Sequence, residues 1–199
     1  MNQAPVLVKV CGITTREDAL AAIEAGAAAL GFNFYADSPR YIAEERAAEI
    51  VAALPLGILK VGVFVDNSPE HILAVARRVG LDIVQLHGGL VSVPMRFWRA
   101  LPANGTPIRE NHGAEAILLD TPSSTFFGGT GTTFPWEIAR GFPGRVVIAG
   151  GLDASNVRTA IERARPWGVD ACSRLESSPG VKDHAKVRAF VRAALSETV

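Results

Sequence analysis

Two residues in this chain could transfer protons at the end of an apolar strand. Cys11 follows the apolar run 6–10 and precedes a segment with helical periodicity. A thiol beside a helix N-terminus can have a lowered pKa, so Cys11 could act as a thiolate base. Asp120 ends the apolar run 116–120, where partial burial would keep a carboxyl group protonated and able to act as an acid. Taken alone, each residue also has a simpler interpretation, as a core cysteine and as a turn or helix cap.

Two glycine-rich segments indicate an anion site. Residues 126–134 (FFGGTGTTF) and 149–156 (AGGLDASN) each place small residues at or before the start of a helix. Free backbone N–H groups and the helix dipole attract anions at such positions. A single glycine pair would be explained by a turn that needs positive φ. Two such segments, followed by residues 172–180 (CSRLESSPG), favour a phosphate pocket.

The elements that would position these residues alternate along the chain. Short apolar runs occur at residues 6–10, 28–34, 59–65, 82–87, 116–120, 145–150 and 168–173. Segments with helical periodicity lie between or after them, at residues 15–26, 43–54, 69–80, 155–166 and 184–195. This pattern predicts parallel strands buried on both faces by helices. The short, even repeat, with polar or glycine-rich residues after many strands, favours a closed (β/α)8 TIM barrel over an open doubly wound sheet. We predict a single barrel domain spanning residues 1–199.

The fifth β/α unit does not fit this scheme. Between His87 and Ala116 a barrel requires a helix, a strand and a second helix. Residues 93–102 could form the first helix, whereas residues 103–115 leave room for a short strand at 106–110 but not for a full helix as well. We therefore expect either a shortened fifth unit or residues missing from the chain near 108–111. A shortened unit would be expected to open the barrel wall.

The composition argues against several classes of protein. The chain has 20 Lys and Arg residues against 20 Asp and Glu residues, so no basic excess suggests a nucleic-acid partner. No apolar stretch approaches the length of a membrane span, and the first residues do not resemble a signal peptide. The two cysteines are far apart and lack metal-ligand spacing, which indicates neither a disulfide framework nor a metal site. We expect a cytoplasmic protein with no membrane partner.

Seven segments, taken in order, resemble the phosphoribosylanthranilate isomerase family of tryptophan biosynthesis. They are KVCGIT (9–14), GFNFYADSPRYI (31–42), VGVFVD (61–66), VQLHG (84–88), LLDT with GGTGTTFPW (118–136), AGGLDASNV (149–157) and GVDACSRLESSPGVKDHAKV (168–187). The resemblance covers nearly the whole chain and implies a (β/α)8 barrel enzyme without a cofactor. It also implies an Amadori rearrangement of N-(5-phosphoribosyl)anthranilate to 1-(2-carboxyphenylamino)-1-deoxyribulose 5-phosphate. We expect a monomer or a homodimer with this small phosphorylated molecule as its substrate.

The resemblance also implies a role for each matching residue. Cys11 would be the general base and Asp120 the general acid of the rearrangement. Arg40 would hold the anthranilate carboxylate, a task that suits a guanidinium group, and Asp170 would lie near the aromatic part of the substrate. Phosphate would bind the backbone N–H groups of Gly129, Thr130, Gly131, Gly150, Gly151, Ser173 and Arg174.

The loop after the eighth strand departs from the usual pattern of that family. Arg174 stands where the family usually has Gly, and a positive φ there would strain an arginine. We expect Arg174 instead to add a cation to the phosphate site. Cys172 stands where the family has Ser and is interpreted as structural. The shortened fifth unit is the most serious departure, because an open wall would lower the activity.

Two other kinds of function remain open at this point. Another sugar-phosphate enzyme could use the same barrel, but an aldolase needs a strand-end lysine for a Schiff base. Lys9 faces away from its strand neighbours and Lys60 lies early in its strand, so neither fits that role. An epimerase would need metal ligands, and His87 is the only histidine at a strand end. The second kind is a non-catalytic phosphate-binding barrel, against which the presence of both Cys11 and Asp120 argues.

Overall fold

Eight parallel strands form a closed barrel in chain order. The computed structural model describes residues 6–89, 91–104, 110–121 and 133–196. The strands are β1 (Leu7–Val10), β2 (Ala29–Asn33), β3 (Leu59–Val65), β4 (Ile83–His87), β5 (Phe97–Pro102), β6 (Ala116–Asp120), β7 (Arg145–Ile148) and β8 (Gly168–Ala171). Because β8 pairs in parallel with β1, no strand edge of the barrel is left open, and the predicted (β/α)8 barrel is confirmed.

In the described part of the chain, five α-helices lie in the five segments that the periodicity predicts. They are α1 (Arg16–Ala25), α2 (Glu44–Ala52), α3 (Pro69–Val79), α4 (Val157–Ala164) and α5 (His184–Leu195). Side-chain caps fix several of their starts. Thr15 accepts a hydrogen bond from the backbone N–H of Asp18 at 3.1 Å, and Asp183 accepts from the backbone N–H groups of Ala185 and Lys186. No helix in the described ranges is both long and apolar enough to cross a bilayer.

The fifth strand lies where the sequence predicted a helix. Residues 93–102 contain β5, and the described residues between β4 and β5 form no helix. The prediction was wrong because pairing with β4 and β6, which no local pattern shows, makes this segment a strand, and its side chains alternate between the two strand faces. Trp98 and Ala100 face the barrel interior, whereas Phe97 and Leu101 pack on the outside.

The shortened connection does not open the barrel wall. β5 pairs in parallel with both β4 and β6, through Leu86↔Arg99 and Leu101↔Leu119 among other residue pairs. Arg99 donates from its guanidinium group to the carbonyl oxygens of Gly88 and Gly89, both at 2.9 Å, and so ties the β4–β5 connection to β5. The suggestion of missing residues near 108–111 falls partly outside the described residues.

The lower half of the barrel interior is apolar. We call its nine buried residues the barrel floor: Ala29, Val61, Ile83, Trp98, Ala100, Ala116, Leu118, Val147 and Ala149. The largest of them, Trp98, is fully buried and meets the ring of Trp167 edge-on, with ring centroids 5.7 Å apart. The opposite strand faces pack against the helices in a separate apolar cluster.

A small ribbon follows the last barrel strand. A 3₁₀ helix (Ser173–Leu175) leads into the antiparallel pair β9 (Glu176–Ser178) and β10 (Val181–Lys182), after which α5 begins. Another 3₁₀ helix, Trp136–Ala139, lies between β6 and β7. The ribbon brings Glu176 and Lys182 to the carboxyl end of β1, where both are buried.

Candidate active site

A cavity of about 250 Å³ lies at the carboxyl ends of the strands, above the barrel floor. It is lined by Cys11, Asn33, Tyr35, Ser38, Pro39, Arg40, Val63, Val65, Gln85, His87, Asp120, Asp170 and Cys172. Active sites of TIM barrels form at this end. The cavity therefore brings together four residues that the sequence analysis selected on separate strands or loops, namely Cys11, Arg40, Asp120 and Asp170.

Cys11 is the first residue after β1, and its side chain is buried at the cavity wall. Its backbone N–H donates to the carbonyl oxygen of Ala171 at 2.9 Å, which fixes it beside β8. A hydrogen bond from the Cys172 side chain lowers the pKa of the Cys11 thiol well below its usual range; burial opposes this, and the Lys9 ammonium reinforces it. An ordinary core cysteine would have apolar neighbours, whereas Cys11 lies beside the polar side chains of Cys172 and Lys9.

Lys9 lies inside the barrel, two residues before Cys11 and on the same face of the strand. Its ammonium group is fully buried and contacts the Asp170 carboxylate at 3.0 Å. Burial disfavours the charged lysine, but the charges of Asp170 and Cys11 outweigh it and raise the pKa of Lys9. A Schiff-base lysine requires a lowered pKa, so Lys9 does not suit the aldolase alternative. Lys9 was not predicted to belong to the site, although Lys9 and Cys11 are two residues apart on one strand and therefore face the same side.

A position without a side chain makes room for this pair. A Cβ atom at Gly31, on the neighbouring strand β2, would lie 2.5 Å from Cys11 Sγ and 3.0 Å from Lys9 Nζ. Any larger residue at Gly31 would therefore displace the thiol or the ammonium group. The sulfur and the ammonium nitrogen consequently share one small space inside the barrel.

Asp120 is the last residue of β6 and lies on the cavity wall. Its Oδ1 atom accepts a hydrogen bond from the backbone N–H of Thr121 at 2.8 Å. Burial raises the pKa of Asp120 to about 6, a shift that the negative charge of Cys11 reinforces and the Thr121 hydrogen bond and Lys9 oppose. The pKa of the thiol is thus lowered and that of the carboxyl group raised, which is the pattern expected of a base and an acid in one site.

Arg40 is held by a carboxylate that the sequence analysis missed. Its Nε atom donates to Glu176 Oε1 at 2.9 Å and its Nη2 atom donates to Oε2 at 2.8 Å. Lys182 Nζ lies 2.9 Å from Glu176 Oε1, so this carboxylate is shared by two cations. Glu176 comes from the ribbon after β8, whose position beside β1 no local pattern predicted.

Asp170 and Gln85 each present an unused polar atom in this region. Among the described residues, Asp170 Oδ1 and Gln85 Oε1 are buried side-chain atoms without a hydrogen-bond partner. Burial raises the pKa of Asp170 to about 7, although Lys9 opposes the shift. Burial also lowers the pKa of His87 to about 4, so this imidazole is neutral; its Nε2 atom lies 2.9 Å from Gln85 Nε2. A bound molecule could donate hydrogen bonds to both free oxygen atoms.

The predicted phosphate residues divide into described and undescribed groups. Gly150 and Gly151 follow β7 with φ of 82° and 62°, a backbone shape that glycine adopts without strain. Ser173 and Arg174 begin the 3₁₀ helix after β8, and Arg174 Nη1 lies 3.4 Å from Asp153 Oδ2 in the loop after β7. These two loops are therefore neighbours. The predicted contacts of Gly129, Thr130 and Gly131 lie outside the described residues.

The structure describes both departures of the last loop from the family pattern. Arg174 does not have positive φ, so replacing glycine with arginine causes no backbone strain there. Cys172, interpreted as structural from the sequence, lines the cavity beside Cys11. The described residues include no cluster of three or more His, Cys, Asp or Glu side chains placed to hold a metal ion.

The comparisons with known proteins agree with this geometry. Residues 8–193 match the family described as N-(5′-phosphoribosyl)anthranilate (PRA) isomerase. The N-(5′-phosphoribosyl)anthranilate isomerase of Solibacter usitatus is 48% identical over 198 residues, which cover 95% of this chain and 97% of that protein.

Solved structures give the same result. The phosphoribosylanthranilate isomerase of Thermotoga maritima superimposes with a TM-score of 0.82 at 38% identity, covering 95% of this chain and 98% of that one. A phosphoribosylanthranilate isomerase solved in complex with reduced 1-(o-carboxyphenylamino)-1-deoxyribulose 5-phosphate has a TM-score of 0.78 at 37% identity, with 95% and 98% coverage.

Proposed function

This chain belongs to the N-(5′-phosphoribosyl)anthranilate isomerase family, and we propose that Cys11 and Asp120 are the general base and general acid of its reaction. That reaction is the Amadori rearrangement of N-(5′-phosphoribosyl)anthranilate to 1-(2-carboxyphenylamino)-1-deoxyribulose 5-phosphate in tryptophan biosynthesis. The observation that carries the proposal is a single cavity lined by a thiol of lowered pKa and a carboxyl group of raised pKa.

The first half of the reaction needs an acid. Asp120 donates a proton to the ring oxygen of the furanose, the bond from that oxygen to C1′ breaks, and the anilino nitrogen forms an iminium bond to C1′. A carboxyl group whose pKa is about 6 keeps part of its population protonated near neutral pH. This protonated population and the location of Asp120 on the cavity wall support its role as the acid.

The second half of the reaction needs a base. The iminium group acidifies the proton on C2′, and the Cys11 thiolate removes it to leave an enolamine. The enolamine then loses the proton of its C2′ hydroxyl group and takes up a proton at C1′ to give the ketone. Cys11 releases the proton that it took and Asp120 regains the one that it gave, so atoms and charge balance without any redox partner. Cys11 lies at the end of β1 and Asp120 at the end of β6, so a sugar between these separated strands can meet both groups.

The remaining predicted residues hold the two ends of the substrate in this proposal. A guanidinium group has five N–H donors, and Glu176 uses those on one edge of Arg40, so another edge can receive the anthranilate carboxylate. Asp170 Oδ1 can accept a hydrogen bond from the substrate. The phosphate group binds backbone N–H groups of Gly129, Thr130, Gly131, Gly150, Gly151, Ser173 and Arg174, with the Arg174 guanidinium group nearby.

The cellular setting belongs to the same proposal. We place the enzyme in the cytoplasm, where reducing conditions keep both thiols of the cavity free. The balanced charge of the chain does not favour a nucleic-acid partner. Both a monomer and a homodimer fit the proposal, because every predicted site residue comes from one chain. Sedimentation equilibrium distinguishes the two.

The test replaces each proton-transfer group while keeping its shape. We expect Cys11→Ser and Asp120→Asn each to lower kcat by about 10²- to 10⁴-fold, the usual contribution of a general acid or base. The measurement is the loss of substrate fluorescence on conversion. Asp183→Asn, which changes a carboxylate outside the cavity and keeps the helix cap, should leave kcat unchanged. Wild-type turnover in either cavity variant would remove the role assigned to that residue.

A further inference from the structure

We infer that Glu176 is a positioning residue for Arg40, whose guanidinium group it orients toward the carboxylate of the substrate, and that Lys182 holds Glu176 in place. The inference rests on the proposed role of Arg40 in the function above. It gives the β9–β10 ribbon a role in specificity, because an oriented Arg40 favours a substrate whose aromatic ring carries a carboxylate.

Glu176 contacts one edge of the Arg40 guanidinium group with both of its oxygen atoms. Arg40 Nε lies 2.9 Å from Oε1 and 3.2 Å from Oε2, and Arg40 Nη2 lies 2.8 Å from Oε2. The exposed fractions of the two side chains are only 14% for Arg40 and 4% for Glu176. The edge formed by Nη1 and Nη2 stays available for a second carboxylate, because a guanidinium group carries five N–H donors in a planar fork.

Only the arginine of this pair reaches the substrate cavity. Arg40 lines the cavity, whereas Glu176 and Lys182, which the structure also describes, are not among the residues of its wall. Neither of them is therefore placed to bind the substrate directly. Their effect on a ligand in the cavity must pass through the orientation of Arg40.

Glu176 is itself held by two lysines of the same segment. Lys182 Nζ lies 2.9 Å from Glu176 Oε1, and the side chain of Lys182 is fully buried. Lys186 Nζ donates to the backbone carbonyl oxygen of Glu176 at 2.9 Å. The backbone N–H of Lys182 donates to Asp18 Oδ2 at 3.2 Å, which ties the ribbon to α1. The carboxylate of Glu176 is therefore fixed before any substrate binds.

The stem of Arg40 is confined as well. A Cβ atom at Gly12 would lie 3.0 Å from Arg40 Cδ and 3.4 Å from Lys182 Nζ. Gly12 also has a φ of 73°, a conformation that suits glycine. The arginine and the lysine thus pack over a backbone position that has no room for a side chain.

The same three charges also allow a simpler explanation, in which Glu176 only neutralises two cations. Arg40, Glu176 and Lys182 together carry one net positive charge, which one carboxylate of the substrate would balance. Burial opposes the charged form of Glu176, but the hydrogen bond from Arg40 and the charge of Lys182 hold its pKa below the usual range. Neutralisation depends on the charge of Glu176, whereas positioning depends on where its oxygen atoms lie.

Two variants keep the net charge and change the contact with Arg40. Glu176→Asp keeps the carboxylate but draws it back by one methylene group. Glu176→Gln/Lys182→Met removes one charge of each sign, so no buried lysine is left unpaired. Its amide group offers Arg40 one oxygen atom in place of two. Circular dichroism checks that each variant folds.

Isothermal titration calorimetry with two ligands provides the measurement. One ligand is reduced 1-(o-carboxyphenylamino)-1-deoxyribulose 5-phosphate, and the other is the same molecule without the carboxyl group. The matched control is Glu115→Gln/Arg96→Met. Glu115 also contacts two cations, Arg96 at 2.6 Å and Arg145 at 2.9 Å, but it precedes β6 at the other end of the barrel. This control should bind both ligands as the wild type does.

We expect the wild-type protein to bind the carboxylated ligand about 10- to 100-fold more tightly than the other, as for hydrogen bonds between charged groups. Each Glu176 variant should lose about 3- to 10-fold of this preference, because Arg40 must then be ordered on binding. The affinity for the uncarboxylated ligand should stay constant. In an Arg40→Met background the same substitutions should have no further effect, since Glu176 acts through Arg40.

Several results would overturn the inference. A wild-type preference retained in both Glu176 variants would show that Glu176 only neutralises charge, and an equal loss of affinity for both ligands would show a general structural role. An effect that persists in the Arg40→Met background, or a wild-type protein without any preference, would also contradict it. Failure of the proposed function looks different, because Cys11→Ser or Asp120→Asn would then retain turnover whatever the affinities for the two ligands are.

Discussion

The cavity and the barrel floor are formed by the same strands, by inward-facing residues only two positions apart, but the cavity residues are mostly polar and the floor residues apolar. On β6, Ala116 and Leu118 belong to the floor, and Asp120 lines the cavity. On β4, Ile83 belongs to the floor, and Gln85 lines the cavity. The floor thus contains only apolar side chains, whereas the cavity is lined by Cys11, Asp120, Asp170 and other polar residues.

Because of this difference in polarity, we expect the floor residues to stabilise the fold and the cavity residues to serve the reaction. Burying apolar surface in the floor favours folding. Burying the charged groups of Lys9, Asp120 and Asp170 inside the barrel costs free energy of desolvation, which pairing offsets only in part. The cost explains why the pKa values of the two carboxyl groups are raised. A substitution in the floor should therefore lower stability without changing the reaction, whereas neutralising a buried carboxyl group of the cavity should impair the reaction and raise stability.

The largest expected effect on stability lies in the floor. Trp98→Ala should lower the free energy of unfolding by about 3–5 kcal/mol, because it removes a large, fully buried side chain that also packs on Trp167. Urea denaturation measures the loss, and kcat per folded molecule should remain near wild type. Trp98→Phe, which keeps a ring, should lose less. A stable Trp98→Ala variant with a lowered kcat would contradict the prediction that floor residues affect stability and not the reaction.

The opposite behaviour is expected for Asp120→Asn. The pKa of Asp120 is raised from 3.8 to about 6 on folding, so the ionised group destabilises the fold above that pH and not below the unfolded value. Removing the charge should raise the free energy of unfolding by up to about 3 kcal/mol at pH 8 and by nearly nothing at pH 4. Denaturation at both pH values provides the measurement. An equal effect at the two pH values would argue against burial of the charge as the cause.

The smallest effect on stability is expected for Arg174, in the loop after β8. Arg174 is half exposed, and its contact with Asp153 is a surface ion pair, so Arg174→Gly should change stability by less than about 1 kcal/mol. If the guanidinium group assists phosphate binding, KM should rise by a few-fold while kcat stays constant. Arg174→Lys, which keeps the charge, should have a KM between the two. An unchanged KM in Arg174→Gly would show that Arg174 does not assist phosphate binding and only contacts Asp153.

The sequence was most informative where local pattern and structure coincide. Apolar runs and helical periodicity predicted seven of the strands and the five helices, and the ends of those strands identified Cys11 and Asp120. β5 was misassigned because Trp98 and Arg99 stand in a segment that also has helical composition, and pairing with β4 and β6 decides its state. Glu176 and Lys182 escaped prediction for a related reason, since only the closed barrel brings their ribbon beside β1.

The most direct test of the account is a crystal structure of this protein with reduced 1-(o-carboxyphenylamino)-1-deoxyribulose 5-phosphate. We expect the ribulose chain to lie between Cys11 and Asp120, with the two side chains contacting it from opposite sides. The phosphate group should lie on the backbone N–H groups of Gly150, Gly151 and Ser173. A ligand bound elsewhere, or one that reaches the carboxyl group of Asp120 without approaching the sulfur of Cys11, would contradict the account.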